Sequence, residues 1–369
     1  MSPQRTMSDG LTRREALVRV AGAGLGLVSE MNVPRWQAPV SAQIPVVTSP
    51  PPLDPKFPQA PTWKTEFRQL APNVFAYIQA GGPGQANQGV SNAGVIVGDD
   101  HLLAIDATGA PFHAKAFMAA ARQAAGAKPF RRLVNTHHHG DHVNGNQFFG
   151  PVEIISHPYC RDEVLKAVPT TPARWDKREG WADGTEERKL VPPTATTEGR
   201  LVYHYGDLAV DVQFAGPAHT YGDLMVYLPK YKILFASDVA FYYVAPFAHN
   251  AHVGKWLEAT DRILKMDVET IVPGHGPIGG KKELAEMAEY FRTLQREVRK
   301  RYNAKMTPGR AAAEIKLGKF DNWIGPERIV MNTVRLYNEF KGTGGPDFDV
   351  EGTRRATDEY NALRGRSGG

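Results

Sequence analysis

One cysteine, Cys160, stands among 369 residues. No disulfide can form within the chain, and a four-cysteine structural metal site is excluded. Long apolar runs are missing as well. None approaches the roughly 18 residues that a spanning helix requires. No block of like charge occurs either: 44 basic and 39 acidic residues are interspersed, and the net charge is only +5. With no basic–aromatic cluster, that balance leaves no electrostatic footprint for nucleic acid. What remains is an ordinary globular composition, 42% hydrophobic and 22% charged. Such a chain is not disordered, collagen-like or coiled-coil, and it can bury a large core or two packed domains.

Residues 1–42 read as an export leader. Arg13 and Arg14 precede an apolar run at residues 20–28, and Val40, Ser41 and Ala42 offer a small-x-small cleavage site. That order resembles a twin-arginine signal peptide. The expectation is a protein handed to the twin-arginine machinery and delivered, without stable membrane insertion, to the periplasm or the medium. Residues 43–72, proline-rich, read as an extended lead-in with no core of their own.

Beyond residue 72 short apolar strands alternate with helices. Residues 74–78, 93–97, 102–105, 132–135 and 153–156 read as strands, and 112–125 and 158–167 as helices. A second run of strands covers 201–205, 208–214, 224–228 and 233–235, followed by a helix at 253–266 and a strand at 270–272. Leu284, Met287, Phe291, Leu294 and Val298 share one helical face, and the C-terminal third reads as helical with breaks at Gly309, Gly318 and Gly344. Residues 168–200 show no period, which marks a functional or mobile loop. Trp175 and Trp181 within it would act as a lid or as loop anchors. Two runs of strands, each with helices, predict an α/β fold: a four-layer αββα sandwich with the sheets face to face. The expected domain spans residues 73–280, with a C-terminal helical extension at 281–369 that offers a face for a homo-oligomer.

One motif carries most of the chemistry. Residues 135–142 read Asn-Thr-His-His-His-Gly-Asp-His, directly after a strand. They place His137, His139, Asp141 and His142 within six residues. Imidazole and carboxylate suit a borderline divalent ion such as zinc. His138 alternates with these groups and should point away. Three further polar residues each follow a strand beside a small residue: His219 after Gly216-Pro217-Ala218, Asp238 after Ala236-Ser237, and His275 after Pro273-Gly274. Singly, each would be a capping or surface group. Together they supply what a two-metal site would still need.

On these residues the chain resembles the metallo-β-lactamase-fold hydrolases over about residues 73–277, a family whose fold is the αββα sandwich. The resemblance implies that His137, His139 and His219 hold one metal, that Asp141, His142 and His275 hold a second, and that Asp238 bridges them together with a hydroxide. It implies two zinc ions as cofactors, with manganese or iron as alternative occupants. Diiron relatives often carry Glu where His139 stands, so its absence favours zinc. Asp106, after the strand at 102–105, matches the acidic residue that steadies the ligand loop. Aspartate at position 238 is similar to the glyoxalase-II-like and lactonase-like branches, whereas zinc β-lactamases carry Cys or Ser there. Cys160 is expected to serve packing.

The implied reaction is attack of the bridging hydroxide on an ester or lactone of a small, partly apolar molecule. Asp141 would also move a proton to the leaving group. Tyr221 would donate to an oxyanion or stand as an edge tyrosine. Phe241, Tyr242, Tyr243, Phe247, His249 and Trp256 follow Asp238, and would either line the substrate pocket or plug the gap between sheet and helix. Alternatives on the same centre are β-lactam, thioester or phosphotriester hydrolysis and hydrolytic dehalogenation. The alternative of another class is a non-catalytic periplasmic metal-binding protein.

Overall fold

The computed structural model describes residues 46–85, 91–126, 128–168, 173–174 and 187–365. The leader, Trp175 and Trp181 lie outside the described residues.

The first large sheet has seven strands: β1 (Glu66–Ala71), β2 (Val74–Ile78), β3 (Ala93–Val97), β4 (Leu102–Ile105), β5 (Phe130–Val134), β6 (Glu153–Ser156) and, at its far edge, β9 (Ala195–Thr196). From β1 to β4 neighbours are antiparallel; β4, β5, β6 and β9 run parallel. Two short strands, β7 (Ala173–Arg174) and β8 (Glu187–Arg188), pair only with each other. The second sheet follows chain order: β10 (Arg200–Tyr205), β11 (Leu208–Gly216), β12 (Asp223–Leu228), β13 (Ile233–Phe241) and β14 (Thr270–His275). Only β13 and β14 are parallel within it. Parallel neighbours need a crossover. Helix α1 (Pro111–Ala125) joins β4 to β5; the single turn α2 (Gly140–Val143) and α3 (Pro158–Ala167) flank β6; α4 (Val253–Lys265) joins β13 to β14. Four helices complete the chain: α5 (Lys281–Asn303), α6 (Pro308–Glu314), α7 (Ile329–Lys341) and α8 (Val350–Gly365).

Alternation along the strands sets the layers, because successive side chains point to opposite faces. Val74, Ala76, Ile78, Leu103 and Ile105 turn inward and meet Val210, Val212, Val226 and Phe235 of the second sheet. Their neighbours Tyr77, Leu102 and Ala104 turn outward onto Phe117, Met118 and Ala121 of α1. Behind the second sheet, Leu234 and Ala236 pack with Ile263 of α4, Leu284, Met287 and Phe291 of α5, and Val334 of α7. The result is the expected pair of facing sheets with helices outside. Among the described residues no helix is long and apolar enough to cross a membrane.

Two sequence expectations need correction. Residues 43–72 are more than a lead-in, since residues 66–71 form edge strand β1 and Ala60 is buried in the main core. Asn322 ties that segment down: its Oδ1 accepts from the Asp54 N–H (2.7 Å), and its Nδ2 donates to the Phe57 carbonyl (2.8 Å). The expected C-terminal helical extension packs onto the core, with Tyr337 and Tyr360 in one hydrophobic cluster with the second sheet. Finally, Gly309 does not break a helix. It sits in the first turn of α6, behind Pro308, a residue whose fixed φ suits a helix start.

Candidate metal centre

The polar residues singled out by the sequence gather at one rim of the sandwich. Asp106 leaves the end of β4, residues 135–142 leave β5, and His219 follows β11. His275 is the last residue of β14. Asp238 lies inside β13, which continues to Phe241 past an irregularity at Ser237. Ser237 takes a positive φ there, and so does Asp106. Both are short polar residues that hydrogen-bond locally. The Thr136 N–H and hydroxyl donate to the two Asp106 carboxylate oxygens at 2.8 Å each. The Ser237 hydroxyl donates to the same carboxylate (2.9 Å), and His142 Nδ1 lies 2.8 Å from it. One buried carboxylate thus ties the histidine loop of the first sheet to β13 of the second.

Further clamps were not legible as functional residues. Asn135 and Asn146 exchange amide hydrogen bonds at 2.8 and 3.0 Å and brace the loop from within. Asn92 Nδ2 donates to the carbonyls of Pro273 and Gly276 (2.9 Å each) and so fixes the turn that presents His275. The Ser91 hydroxyl donates to the Asp141 carbonyl. Glycine is required at 274, where a Cβ would run into Asp238 Oδ1. The Asn-Gly-Asn run at 144–146 and the Pro-Gly-His-Gly run at 273–276 were the available signals.

Two groups of ligand atoms result. His137, His139, His219 and Asp238 offer atoms within 4.8 Å of one another, and so do Asp141, His142 and His275. In the first group His139 Nδ1 lies 2.8 Å from His219 Nε2 and 3.2 Å from His137 Nε2. In the second, His275 Nε2 and His142 Nε2 lie 3.3 and 3.5 Å from Asp141 Oδ2. Asp238 reaches both: Oδ2 is 3.0 Å from His219 and 3.4 Å from His275, and Oδ1 is 3.1 Å from His142. Asp141 and His139 are the partly exposed members of the two groups, and 32% of the Asp141 side chain is exposed against 4% for Asp238.

The donor set fits divalent cations. Imidazole and carboxylate are the donors of zinc-type sites. Buried polar atoms are normally satisfied, yet the buried His142 Nε2 and Asp238 Oδ1 make no well-formed hydrogen bond although they lie 3.1 Å apart. Protonation in the cation-free cluster divides along the same line. Burial, with the neighbouring imidazoles, pushes His139 down to about 3 and His137 well below the usual histidine range. Burial alone would also depress His275 and His142; Asp238 and Asp141 outweigh it, raising His275 to about 9 and His142 well above the usual range. Burial alone would raise the Asp141 and Asp238 carboxyls, and the facing imidazoles hold both well below the carboxylate range instead.

The remaining sequence expectations divide. His138 stands outside both groups and packs edge-on to Tyr159. Cys160 is fully buried with Val143 and Val164. Phe241, Tyr242 and Trp256 do not line a pocket; all three are fully buried. Phe241 stacks on His275 at 4.9 Å, and Trp256 packs edge-on to His219 at 5.2 Å while its Nε1 donates to the Val239 carbonyl. They are the apolar backing of the ligands. The Tyr242 hydroxyl donates to the Gly280 carbonyl, away from the cluster. Tyr243 takes a positive φ and packs against the core behind the second sheet. Phe247 and His249 lie nearer: His249 stacks on His139 at 4.6 Å, and Phe247 stands edge-on to His249. Tyr221 is not aimed at the cluster, because its hydroxyl donates to the Gly344 carbonyl (3.1 Å).

Comparison with known proteins agrees with this architecture. Residues 86–275 match the family described as the metallo-beta-lactamase superfamily. The alpha subunit of 2,4-dinitroanisole O-demethylase from Nocardioides sp. (strain JS1661) is 26% identical over 195 residues, 51% of this chain and 53% of that protein. Linear primary-alkylsulfatase from Pseudomonas sp. (strain ATCC 19151) is 22% identical over 229 residues, 52% of this chain and 43% of that protein. The chain thus spans about half the length of these curated relatives. Among solved structures, the sec-alkylsulfatase Pisa1 from Pseudomonas sp. superposes with a TM-score of 0.54 at 16% identity, over 75% of this chain and 50% of that one. That likeness is one of fold.

Proposed function

The chain belongs to the metallo-beta-lactamase superfamily, and from that premise we propose that it is a divalent-cation-dependent hydrolase with two adjacent cation positions, zinc being the first expected occupant. His137, His139 and His219 would hold one cation, Asp141, His142 and His275 the other, and Asp238 would serve both. The observation that carries this reading is the placement of the Asp238 carboxylate within 3.0 to 3.4 Å of His219, His142 and His275, which belong to different groups. When bound, such cations supply Lewis acidity, which acidifies water and stabilises negative charge developing on an electrophile.

The chain's own residues do the rest. Asp106 holds His142 by Nδ1 and leaves Nε2 turned toward Asp238. Phe241 and Trp256 exclude water from behind His275 and His219. Asp141, partly exposed, would also take up a proton and return it to a leaving group. The substrate class is an ester or lactone of a small molecule; aspartate at the shared position, as in lactonase-like members, supports it. A second reading, hydrolysis of an alkyl sulfuric ester, is favoured by the sequence match to the linear primary-alkylsulfatase. Export through the twin-arginine route belongs to the same proposal. Its check is retention in the cytoplasm when Arg13 and Arg14 are both changed to Lys.

Metal analysis of purified protein is expected to find two zinc equivalents. Chromogenic carboxylic esters, lactones and sulfate esters, offered beside β-lactams, thioesters and phosphotriesters, should show turnover that chelator abolishes and zinc restores. Two bound cations with no turnover on the whole panel would remove the hydrolase reading and leave a metal-binding protein. No bound cation would remove both.

A further inference from the structure

The C-terminal region reaches the His139 side of the candidate metal centre. The segment between α7 and α8, residues 342–349, runs past the His139 side of the cluster. Asn250 Nδ2 donates to the Pro346 carbonyl (2.7 Å), the Tyr221 hydroxyl donates to the Gly344 carbonyl, and Phe348 sets its ring edge-on to His249 at 5.2 Å. Asn250 is itself buried, 8% exposed, and its Oδ1 lies 3.2 Å from His139 Nε2.

These contacts determine where a proton sits. A carbonyl oxygen only accepts, so the amide nitrogen of Asn250 must face Pro346, and its oxygen must face His139. An amide oxygen also only accepts. His139 therefore carries its proton on Nε2, and Nδ1 keeps a free lone pair. That Nδ1 is the atom 2.8 Å from His219 and 3.2 Å from His137. Histidines at metal sites generally need the other ring nitrogen held, which fixes both tautomer and ring plane. Asp106 does this for His142, and the Thr136 hydroxyl lies 3.1 Å from His137 Nδ1. For His139 the holding group is Asn250.

We propose that Asn250 is a positioning residue: it locks His139 in the tautomer that presents Nδ1, and the Pro346 carbonyl locks Asn250. Through that pair of hydrogen bonds the C-terminal region sets cation affinity at the three-histidine position. The inference rests on the metal-centre reading above.

The test uses the full chain as wild type, Asn250→Ala and Asn250→Asp. Aspartate can accept the same hydrogen bond from His139 through one oxygen, while its other oxygen, an acceptor, cannot bond the Pro346 carbonyl, so the variant keeps the His139 contact and drops the Pro346 one. Zinc affinities are measured by competition with a chromophoric chelator, and cobalt-loaded protein gives an absorption spectrum of each position. In Asn250→Ala one of the two zinc affinities is expected to fall about 10- to 100-fold, the usual cost of losing a group that orients a ligand. The cobalt spectrum should change, and the second affinity should hold. Asn250→Asp should keep both affinities close to wild type. Wild-type affinities and spectrum in Asn250→Ala would overturn the inference, and so would Asn250→Asp as weak as Asn250→Ala. Should Asn250→Ala fail to fold by circular dichroism, Asn250→Asp decides: retained affinity supports the proposal and lost affinity overturns it. Wild-type protein that binds no cation would instead defeat the metal-centre reading itself.

Discussion

The His137–His139–His219 group and the Asp141–His142–His275 group lie on either side of one carboxylate, Asp238, yet the chain prepares them in opposite ways. In the three-histidine group, burial with the neighbouring imidazoles keeps His139 and His137 unprotonated, His139 down to about 3. Its outer contact is the neutral amide of Asn250. The other group brings its own aspartate, is braced by a second one at Asp106, and holds protons on its imidazoles, with His275 raised to about 9. The first group therefore offers free lone pairs to an arriving cation, and the second must exchange protons for it. Two adjacent sites built on one scaffold can differ in affinity for this reason alone, before any difference in geometry.

Removing the shared group is the most severe way to break the contrast. Asp238→Ala takes an oxygen from both positions and leaves several buried imidazoles facing one another. Both cations should be lost, and turnover should drop by roughly a thousandfold or more, the scale of losing a charge-stabilising group in a dry site. Metal content and rate are measured on the same preparation. A variant that keeps one cation at full affinity would show that the groups do not depend on a common carboxylate.

Removing Asp106 should separate the groups instead. Asp106→Ala leaves His142 Nδ1 and the Thr136 N–H without their partner in the core. An unsatisfied buried polar group costs about 1–3 kcal/mol. Affinity at the Asp141–His142–His275 position should fall about 10- to 100-fold, with the three-histidine position little changed. Thermal melts and chelator competition read the two effects apart. Equal losses at both positions would mean that Asp106 supports the loop as a whole and not one ligand in particular.

How far these features were legible in the chain depended on the kind of signal. The ligand candidates could be read because they cluster in the run that follows β5 or stand beside small residues near the ends of later strands, Asp238 alone lying inside its strand, a pattern that packing does not demand. The layers could be read from two runs of short apolar strands, each accompanied by helices. Edge strand β1 could not: Glu66-Phe67-Arg68-Gln69 is half-exposed on both faces and shows no clean period. For Phe241, Tyr242 and Trp256 the sequence left two places open, the cleft or the gap between sheet and helix, and their burial agrees with the second. Nearness in sequence does not say whether a ring faces the cleft or the core, and in β13 neighbours alternate between the two. Asn250 carried no pattern at all, since its partner Pro346 lies 96 residues further on.

Proton competition sharpens the comparison without any substitution. Ligands must be deprotonated to bind. A group whose folded value is raised to about 9, as for His275, is still protonated at pH 6 and largely so at pH 8. Each unit of pH rise toward that value should tighten the Asp141–His142–His275 position by up to about tenfold per proton displaced. His139, pushed down to about 3, and His137, held well below the usual range, are unprotonated throughout that window, so these two should add little slope at the three-histidine position. Zinc titrations at pH 6, 7 and 8 give both slopes. Parallel slopes would show that the two groups are not prepared differently.

The smallest expected effect belongs to Tyr221, which lies beside the three-histidine group in sequence and was a candidate oxyanion donor. Its hydroxyl already donates to the Gly344 carbonyl, and the Arg335 guanidinium lies 3.5 Å from the same oxygen. A hydroxyl committed in this way braces the C-terminal segment and does not stabilise charge on a substrate. Tyr221→Phe should therefore cost about 1 kcal/mol of stability, the net worth of one hydrogen bond. Its kcat should stay within roughly threefold of wild type, well short of the hundredfold or more expected on losing an oxyanion donor. The melting temperature and kcat, measured together, separate the two roles. A hundredfold fall in kcat with an unchanged melt would mean that the hydroxyl leaves Gly344 when substrate binds, and the boundary drawn between ligand group and C-terminal brace would then have to move.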